Sequence, residues 1–203
     1  METLDPLDAR LVQLMQSARI PTGHGNGLEV NRYRTRPTAN GLANEDFRDS
    51  AESFGHHIEV FRVGHCEYFC ELGRSVNQIT KSAQQENPKF KGLRVVRYTD
   101  IAQVIEFGAA WLWRVWHSVL PYTYMTLTVR LMNTANTTLF SRDKLFGHPT
   151  TAGSIEYSEI VQKQRDVGTV EFRALERVAH SYGLVLPGVR DAAGQHVRPE
   201  KMS

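Results

Sequence analysis

The sequence predicts an α+β fold in which a mostly antiparallel sheet packs against a long, buried central helix, with further helices at the N- and C-terminal ends. Three features predict it. The segment from Asp100 to Pro121 (DIAQVIEFGAAWLWRVWHSVLP) is apolar around most of a helical circumference. Alternating segments on both sides of it are joined by turns, as in antiparallel sheets. The first and last segments have the periodicity of amphipathic helices.

The N-terminal part begins with a helix that Asp5 caps and Pro6 opens, and that ends before Pro21. Residues 28–37 (LEVNRYRTRP) alternate apolar and polar side chains at their start and predict a strand. Residues 38–53 (TANGLANEDFRDSAES) are polar and rich in turn formers, and therefore predict a loop.

The middle of the chain leads into the central helix. Residues 57–72 (HIEVFRVGHCEYFCEL) predict a β-hairpin with Gly64 in its turn. Residues 73–92 (GRSVNQITKSAQQENPKFKG) predict a polar connector, with a short helix of its own as the alternative. Residues 93–98 (LRVVRY) predict a short strand directly before the helix.

The C-terminal part contains the clearest strand of the chain, residues 122–132 (YTYMTLTVRLM), and residues 138–142 (TLFSR) are its expected return strand. Residues 155–164 (IEYSEIVQKQ) fit a strand better than a short helix. The last helix covers residues 169–183 (TVEFRALERVAHSYG), where Thr169 caps the start and a glycine closes the end.

Length and composition bound the class of protein. The 203 residues suit a single domain over residues 1–190, followed by a flexible tail at 191–203. A hydrophobic content of 41% and a charged content of 23% are typical of a globular chain. A net charge of +2 is too small to indicate a dedicated nucleic-acid-binding domain.

The sequence shows no segment for a membrane, a metal or a cofactor. No apolar run is long enough to span a bilayer, and the N-terminus lacks the apolar core of a signal peptide. Two cysteines do not make a disulfide framework, so we expect a cytoplasmic protein. The glycine-rich segment 23–27 follows a helix and precedes a strand, the reverse of a phosphate-binding loop. We therefore expect no cofactor, no metal and no catalytic residues.

A group of basic residues is the main candidate for binding. Arg32, Arg34 and Arg36 are spaced like one face of a strand, with Tyr33 interleaved. Basic side chains on the neighbouring segments enlarge this predicted basic sheet face: Arg62, Arg97 and Arg130. Such a face suits the phosphates of a nucleotide-like ligand or of a nucleic acid, and tyrosines stack on bases. The alternative is a solvated face on which the arginines pair with glutamates across strands.

The three tryptophans point to different sides of the central helix, which indicates core packing rather than a stacking surface. Four polar residues form a narrow strip that we expect to face water or a protein partner: Gln103, Glu106, Arg114 and His117.

Histidines and acids support an enzymatic alternative. His56, His57, His65 and Glu67 lie at or near strand ends and would make a hydrolase-type site if they converged. Their spacing matches no metal-binding motif.

The order of elements resembles the region that follows the AlbA-type domain in bacterial Schlafen-like ATP-binding proteins. The segments that carry this resemblance are RIPTGHGNGLEVNRYRTRP, the predicted hairpin, the aromatic helix followed by YTYMTLTVRLMN, and VAHSYGLVLPGVRDAAGQHVRP. The acidic and lysine-bearing strand of the AlbA-type domain itself is missing, so no ATP-binding or nuclease residues carry over. The resemblance implies an accessory or sensing module of a bacterial regulatory or defence protein.

These observations favour a non-catalytic cytoplasmic module that binds or senses. Its expected partner is a neighbouring protein or fused domain, or a nucleotide-like ligand on the basic sheet face, and a homo-oligomer stays open. A nucleic-acid-binding regulator that uses Arg32, Arg34 and Arg36 is the first alternative. An enzyme built on the histidines is the second.

Overall fold

The computed structural model describes residues 4–21, 28–47, 54–86, 88–120, 123–140 and 147–184. It contains, within these ranges, four helices and several antiparallel strand pairs, with 42% of residues helical and 32% in strands. The predicted α+β class is therefore confirmed. The predicted tail, residues 191–203, lies outside the described residues.

The chain divides into two compact units. Unit 1 comprises Met1–Arg74 and Glu106–Thr123, and unit 2 comprises Ser75–Ile105 and Tyr124–Ser203. The single domain expected over residues 1–190 stays a prediction.

The elements are, in chain order, α1 (Ala9–Gln16), β1 (Arg19–Ile20), β2 (Leu28–Glu29), β3 (Thr35–Pro37), β4 (Gly41–Asp46), β5 (Gly55–Phe61), β6 (Cys66–Glu71), α2 (Gly73–Glu86), β7 (Arg94–Arg97), α3 (Tyr98–Val119), β8 (Met125–Met132), β9 (Thr137–Phe140), β10 (Ser154–Val161) and α4 (Gln164–Ser181). Short 3-10 turns occupy Arg32–Arg34 and Pro88–Phe90.

Helix α1 begins later than predicted. Its cap is Asp8, whose carboxylate accepts the Arg10 backbone N–H at 2.8 Å. Asp5 instead accepts the N–H of Leu7 in the turn before the helix. The predicted start at Asp5 is wrong by one turn, because both aspartates are suitable N-cap residues and Asp8 is the one that caps the helix.

The antiparallel sheet β3-β4-β5-β6 forms the β-structure of unit 1, and β1 pairs separately with β2. The β5–β6 hairpin was predicted correctly, and Gly64 turns it with a φ of 82°. The loop predicted for residues 38–53 is wrong in its first part, which forms β4. Strand β4 contains few strand-forming side chains, but it is paired on both sides, and those hydrogen bonds override its low propensity.

The aromatic part of α3 belongs to the core of unit 1. Trp111 is fully buried and Trp116 is 6% exposed, which confirms that they belong to the core. The indole Nε1–H of Trp111 donates to the Leu14 carbonyl at 3.0 Å, and so the tryptophan also satisfies a backbone group near the end of α1. Gly108 permits the close approach of the Tyr68 ring of β6 to α3, because a Cβ at this position would lie 2.7 Å from that ring.

The largest sheet pairing of unit 2 joins β8 to β10 in antiparallel register, from Met132 opposite Ser154 to Met125 opposite Val161. Strand β10 confirms the strand assignment there. Strand β9 is not the return strand of β8 as predicted, because it pairs in parallel with β7. The prediction failed because consecutive strands are paired more often than not, whereas here β8 and β9 belong to different sheets.

Helix α4 packs against β10 and begins at Gln164, earlier than the predicted Thr169 cap. The carboxylate of Asp166 accepts the N–H groups of Gln162 and Lys163 and so serves the exposed donors at this end. The predicted closure at Gly183 is consistent with its φ of 69°.

Helix α2 replaces the predicted polar connector, so the helical alternative for this segment was correct. Ile79 and Ala83 pack with Phe90 and Val95 in a small apolar cluster. Thr80 Oγ1 accepts the Val95 N–H at 2.8 Å, which ties the helix to β7.

We expect Trp111→Ala to lower the free energy of unfolding of unit 1 by about 3–5 kcal/mol, because the change leaves a large cavity and removes the hydrogen bond from the indole to the Leu14 carbonyl. Thermal denaturation followed by circular dichroism measures this. Tyr33→Ala is the matched control, since Tyr33 is 82% exposed in the same unit. A melting temperature equal to that of the control would contradict the role of Trp111 in the core.

Candidate ligand pocket

The predicted basic sheet face does not form as a strand face. Asn31 accepts the Tyr33 N–H through its side chain, and this Asx turn starts the 3-10 turn Arg32–Arg34. The guanidinium of Arg32 stacks on the ring of Tyr33, 4.9 Å from its centroid. Only Arg36 of the three arginines lies on a strand. The period-two spacing therefore misplaced Arg32 and Arg34.

Apart from Arg32, most arginines of the predicted basic sheet face are paired with carboxylates. Arg34 pairs with Asp46 and Arg36 with Glu45 in unit 1, and Arg130 pairs with Glu156 across β8 and β10 in unit 2. Arg62 is exposed beside the turn of the hairpin. The alternative of a solvated face with cross-strand pairs thus describes these side chains better.

The outer face of the unit 1 sheet is acidic. It lies opposite the buried Ile58 and Val60. The strand register gives it four glutamates, of which Glu59 is buried, and one arginine, Arg36; the other glutamates are Glu45, Glu67 and Glu71. The guanidinium of Arg36 and the hydrogen bond to His57 hold the pKa of Glu45 below its ordinary value. A surface of this charge repels phosphates, which weakens the case for nucleic acid at this sheet.

The histidines of the enzymatic alternative do not converge. His57 lies on the outer face between Glu45 and Glu59, at 3.3 and 3.2 Å. His56 points to the opposite, inner face, where its Nε2–H donates to Asn44 Oδ1 at 3.0 Å. His65 pairs with Glu67 near the hairpin turn. Within the described ranges, no three histidines, cysteines or acids are grouped to bind a metal.

The two cysteines are not suited to act as nucleophiles. Cys66 and Cys70 are free thiols on the inner side of β6, and burial raises the pKa of each to about 12. A thiol with so high a pKa is protonated at neutral pH and is a poor nucleophile.

The polar strip predicted on α3 is partly exposed. Glu106, Arg114 and His117 are exposed, whereas Gln103 is half-buried. Arg114 also reaches the Ser17 carbonyl at 3.4 Å, and the His117 ring lies 5.6 Å from Trp113. The role of this strip toward a partner stays a prediction.

A pocket of about 470 Å³ lies in unit 2 between α2 and the parallel pair β7–β9. Its size falls within the roughly 300–1,000 Å³ of small-molecule sites. Apolar side chains line its inner part: Ile79, Ala83, Val95 and Phe140. The described polar side chains of the lining are Gln78, Ser82, Glu86 and Arg97.

The fold of unit 2 positions these groups. Residues 79, 82/83 and 86 recur at helical spacing on one side of α2. Val95 and Arg97 share one face of β7, and Phe140 is the cross-strand neighbour of Arg97 in β9. Arg97 and Phe140 are the last residues of their parallel strands, the edge at which parallel sheets usually bind ligands.

The two charges of this pocket are not cancelled locally. Among the residues that the structure describes, neither Arg97 nor Glu86 forms an ion pair, in contrast to Arg34, Arg36 and Arg130. Arg97 is half-buried, so that its charge acts in a medium less polar than bulk water.

The sequence identified only Arg97 in this pocket. The lining residues of α2 and Phe140 were missed because their segment was treated as a connector and β9 as a partner of β8. The signal was present in the sequence, since Val76, Ile79 and Ala83 follow helical spacing.

Comparison with known proteins adds no identity: no family model, curated protein or solved structure matches the chain. The resemblance to Schlafen-like proteins therefore stays a prediction. No helix in the described ranges is long and apolar enough to cross a bilayer.

The buried His56 makes the stability of unit 1 depend on pH. Burial lowers the pKa of His56, although the Phe54 carbonyl opposes this. Because the pKa of His56 is lower in the folded than in the unfolded state, its contribution to the free energy of unfolding is fully present above the unfolded-state pKa of about 6.5. That contribution is lost as the pH falls below this value. Urea denaturation between pH 7.5 and 5.5, followed by tryptophan fluorescence, measures the loss.

We expect His56→Gln to reduce this pH dependence, whereas His65→Gln, at an exposed histidine of the same hairpin, leaves it as in the wild type. Equal pH dependence in the wild type and His56→Gln would contradict the assignment to His56.

Proposed function

We propose that this chain is a non-catalytic binding or sensing module whose pocket in unit 2 takes a small ligand with an anionic group and an apolar body. One observation carries the proposal: the pocket combines an apolar floor with Arg97, a half-buried cation that has no carboxylate partner in the described part of the chain.

The chemistry of the lining supports binding rather than catalysis. Arg97 offers a planar fork of N–H donors that matches a carboxylate or a phosphate. Gln78 and Ser82 offer neutral hydrogen-bonding groups, and Phe140 offers an aromatic face. Among the described lining residues there is no histidine or cysteine, which are common bases and nucleophiles.

The ligand class includes the nucleotide-like molecule expected from the sequence, but at a different place. The expected basic face is largely paired or acidic, whereas Arg97 keeps an unpaired charge next to apolar surface. The cytoplasmic location, the bacterial regulatory context and a partner protein remain parts of the proposal that rest on the sequence.

The test is ligand-observed NMR on the full chain with three probes that each join an anion to an apolar or planar body: 3-phenylpropanoate, phenylalanine and AMP. We expect at least one to bind with a Kd of about 1 mM or lower, as suits ligands of this size. Arg97→Ala should weaken that binding at least about tenfold, since a charge-assisted pair is lost.

Arg130→Ala is the matched control, because Arg130 is an exposed arginine of the same unit outside the pocket lining. Circular dichroism checks the folding of both variants, and Arg97→Lys provides a second variant that keeps the charge. The proposal is overturned if no probe binds, or if Arg97→Ala and Arg130→Ala bind equally.

A further inference from the structure

Strand β8 has one edge that no described strand covers. It pairs with β10 along its whole length, from Met125 to Met132, and β10 is its only sheet partner among the residues that the structure describes. In an antiparallel pair, the backbone N–H and C=O groups of alternate residues point to opposite edges of the strand. Within the described ranges, no hydrogen bond outside the ladder with β10 reaches the backbone of residues 125–132. The edge away from β10 therefore presents a row of unused donors and acceptors.

This edge lacks the features that usually protect edge strands, namely short length, proline and unpaired charge. Strand β8 has eight residues, whereas the edge strand β3 of unit 1 has three and ends at Pro37. The single charged residue of β8, Arg130, is paired with Glu156 of β10. Strand β10, which forms the other edge of the pair, carries the carboxylates Glu156 and Glu159. The edge of β8 is therefore the one better suited to receive another strand.

The inner face of β8 is apolar but incompletely covered. Leu127 is buried, whereas Met125, Val129 and Leu131 on the same face are only half-buried. A further strand at the open edge would bring its own side chains beside these three and remove more of their apolar surface from water.

The outer face of β8 carries large apolar side chains near both ends. Tyr124, directly before the strand, is 58% exposed, and Met132 at its end is 51% exposed. They lie four residues on either side of Thr128, and the alternation along the strand places them on its face. The apolar pattern of this segment is thus symmetric about Thr128.

We propose that two copies of this chain pair through their β8 edges, antiparallel and about a two-fold axis at Thr128, in a sheet of order β10-β8-β8′-β10′. This register places apolar side chains opposite apolar side chains of the second copy: Leu127 opposite Val129, Met125 opposite Leu131 and Tyr124 opposite Met132. Arg130 lies opposite Thr126, so that no like charges meet across the axis.

Neighbouring registers fit less well. An axis at Val129 places Met125 opposite Asn133, and an axis at Leu127 places Tyr124 opposite Arg130. The charge of the edge also favours a second copy. Because Glu156 pairs with Arg130, the edge attracts neither a basic nor an acidic partner, and two identical edges approach without repulsion.

Sedimentation velocity of the full chain at increasing concentration measures this association. An interface of one strand pair is small, so we expect a reversible dimer with a Kd of about 1–100 μM. Thr128→Lys should raise this Kd at least about tenfold, because the two lysines would start from Cβ atoms only about 5 Å apart at the axis. The variant should fold, since Thr128 is exposed.

Ser158→Lys is the matched control. Ser158 is the exposed cross-strand neighbour of Thr128 on β10, and the two hydroxyls share a hydrogen bond of 2.8 Å, which both lysine variants lose. In the proposed dimer the two copies of Ser158 lie three strand spacings apart, about 14 Å, where salt screens their charges. We expect the control to dimerise with a Kd within about twofold of the wild type, and circular dichroism checks the folding of both variants.

Thr128→Cys tests the register. The Cα atoms of directly opposite residues in an antiparallel pair lie about 4.5–5.5 Å apart, within the range that a disulfide bridges. We expect mild oxidation to convert this variant into a covalent dimer and to leave Ser158→Cys and the wild type as single chains.

None of the described residues of β8 lines the pocket, so dimerisation and ligand binding are tested separately. The proposal is overturned if the wild type stays a monomer up to the top of the expected Kd range, or if Thr128→Lys and Ser158→Lys associate equally. It is also overturned if only Ser158→Lys prevents association, which would assign the contact to β10, or if Thr128→Cys does not crosslink where the wild type dimerises.

Discussion

Unit 2 is organised by the need to cover both faces of a parallel strand pair. Parallel sheets are found almost only with both faces buried. Helix α2 covers one face of the pair β7–β9, and the other face is buried as well. On one face, Val95 packs with Ile79 and Ala83 of α2. On the other, Val96 and Leu139 are buried, and Thr137 shares a hydrogen bond of 2.7 Å with the hydroxyl of Tyr182 at the end of α4.

The pocket is a consequence of this cover being incomplete at one edge. Val95 is fully buried under α2, whereas Arg97 and Phe140, farther along the same faces, are only half-buried. The covering helix meets the strands closely where Thr80 accepts the Val95 N–H. Next to that contact, the apolar side chains of α2, β7 and β9 line the pocket instead of packing against one another. A strong structural constraint therefore leaves an apolar hollow beside the last residues of the strands, where a charged side chain borders it.

The sequence predicted the elements whose pattern is local and strong. The core tryptophans of α3, the β5–β6 hairpin around Gly64 and strand β8 are clear in periodicity alone. Strand β4 was missed because it is held by pairing with β3 and β5 rather than by its own side chains. The parallel partner of β9 was missed because strand pairing between distant segments leaves no local signal. The lining residues of α2 were not predicted, because that segment was expected to be a connector. Arg97 was predicted only as one of several basic residues on or near strands.

Charge counted along the sequence misled in a way that the pairing explains. The net charge of +2 is small, and it was the arginines at positions 32–36 that suggested a basic surface. In the folded chain, Arg34 pairs with Asp46 and Arg36 with Glu45, so that carboxylates of unit 1 largely neutralise these two positive charges. Surface pairs of this kind contribute little to stability, but they cancel the field that a phosphate would sense. A charge is available to a ligand only where the fold supplies no partner for it, and by that measure the half-buried Arg97 is a better candidate for ligand binding than Arg34, Arg36 and Arg130.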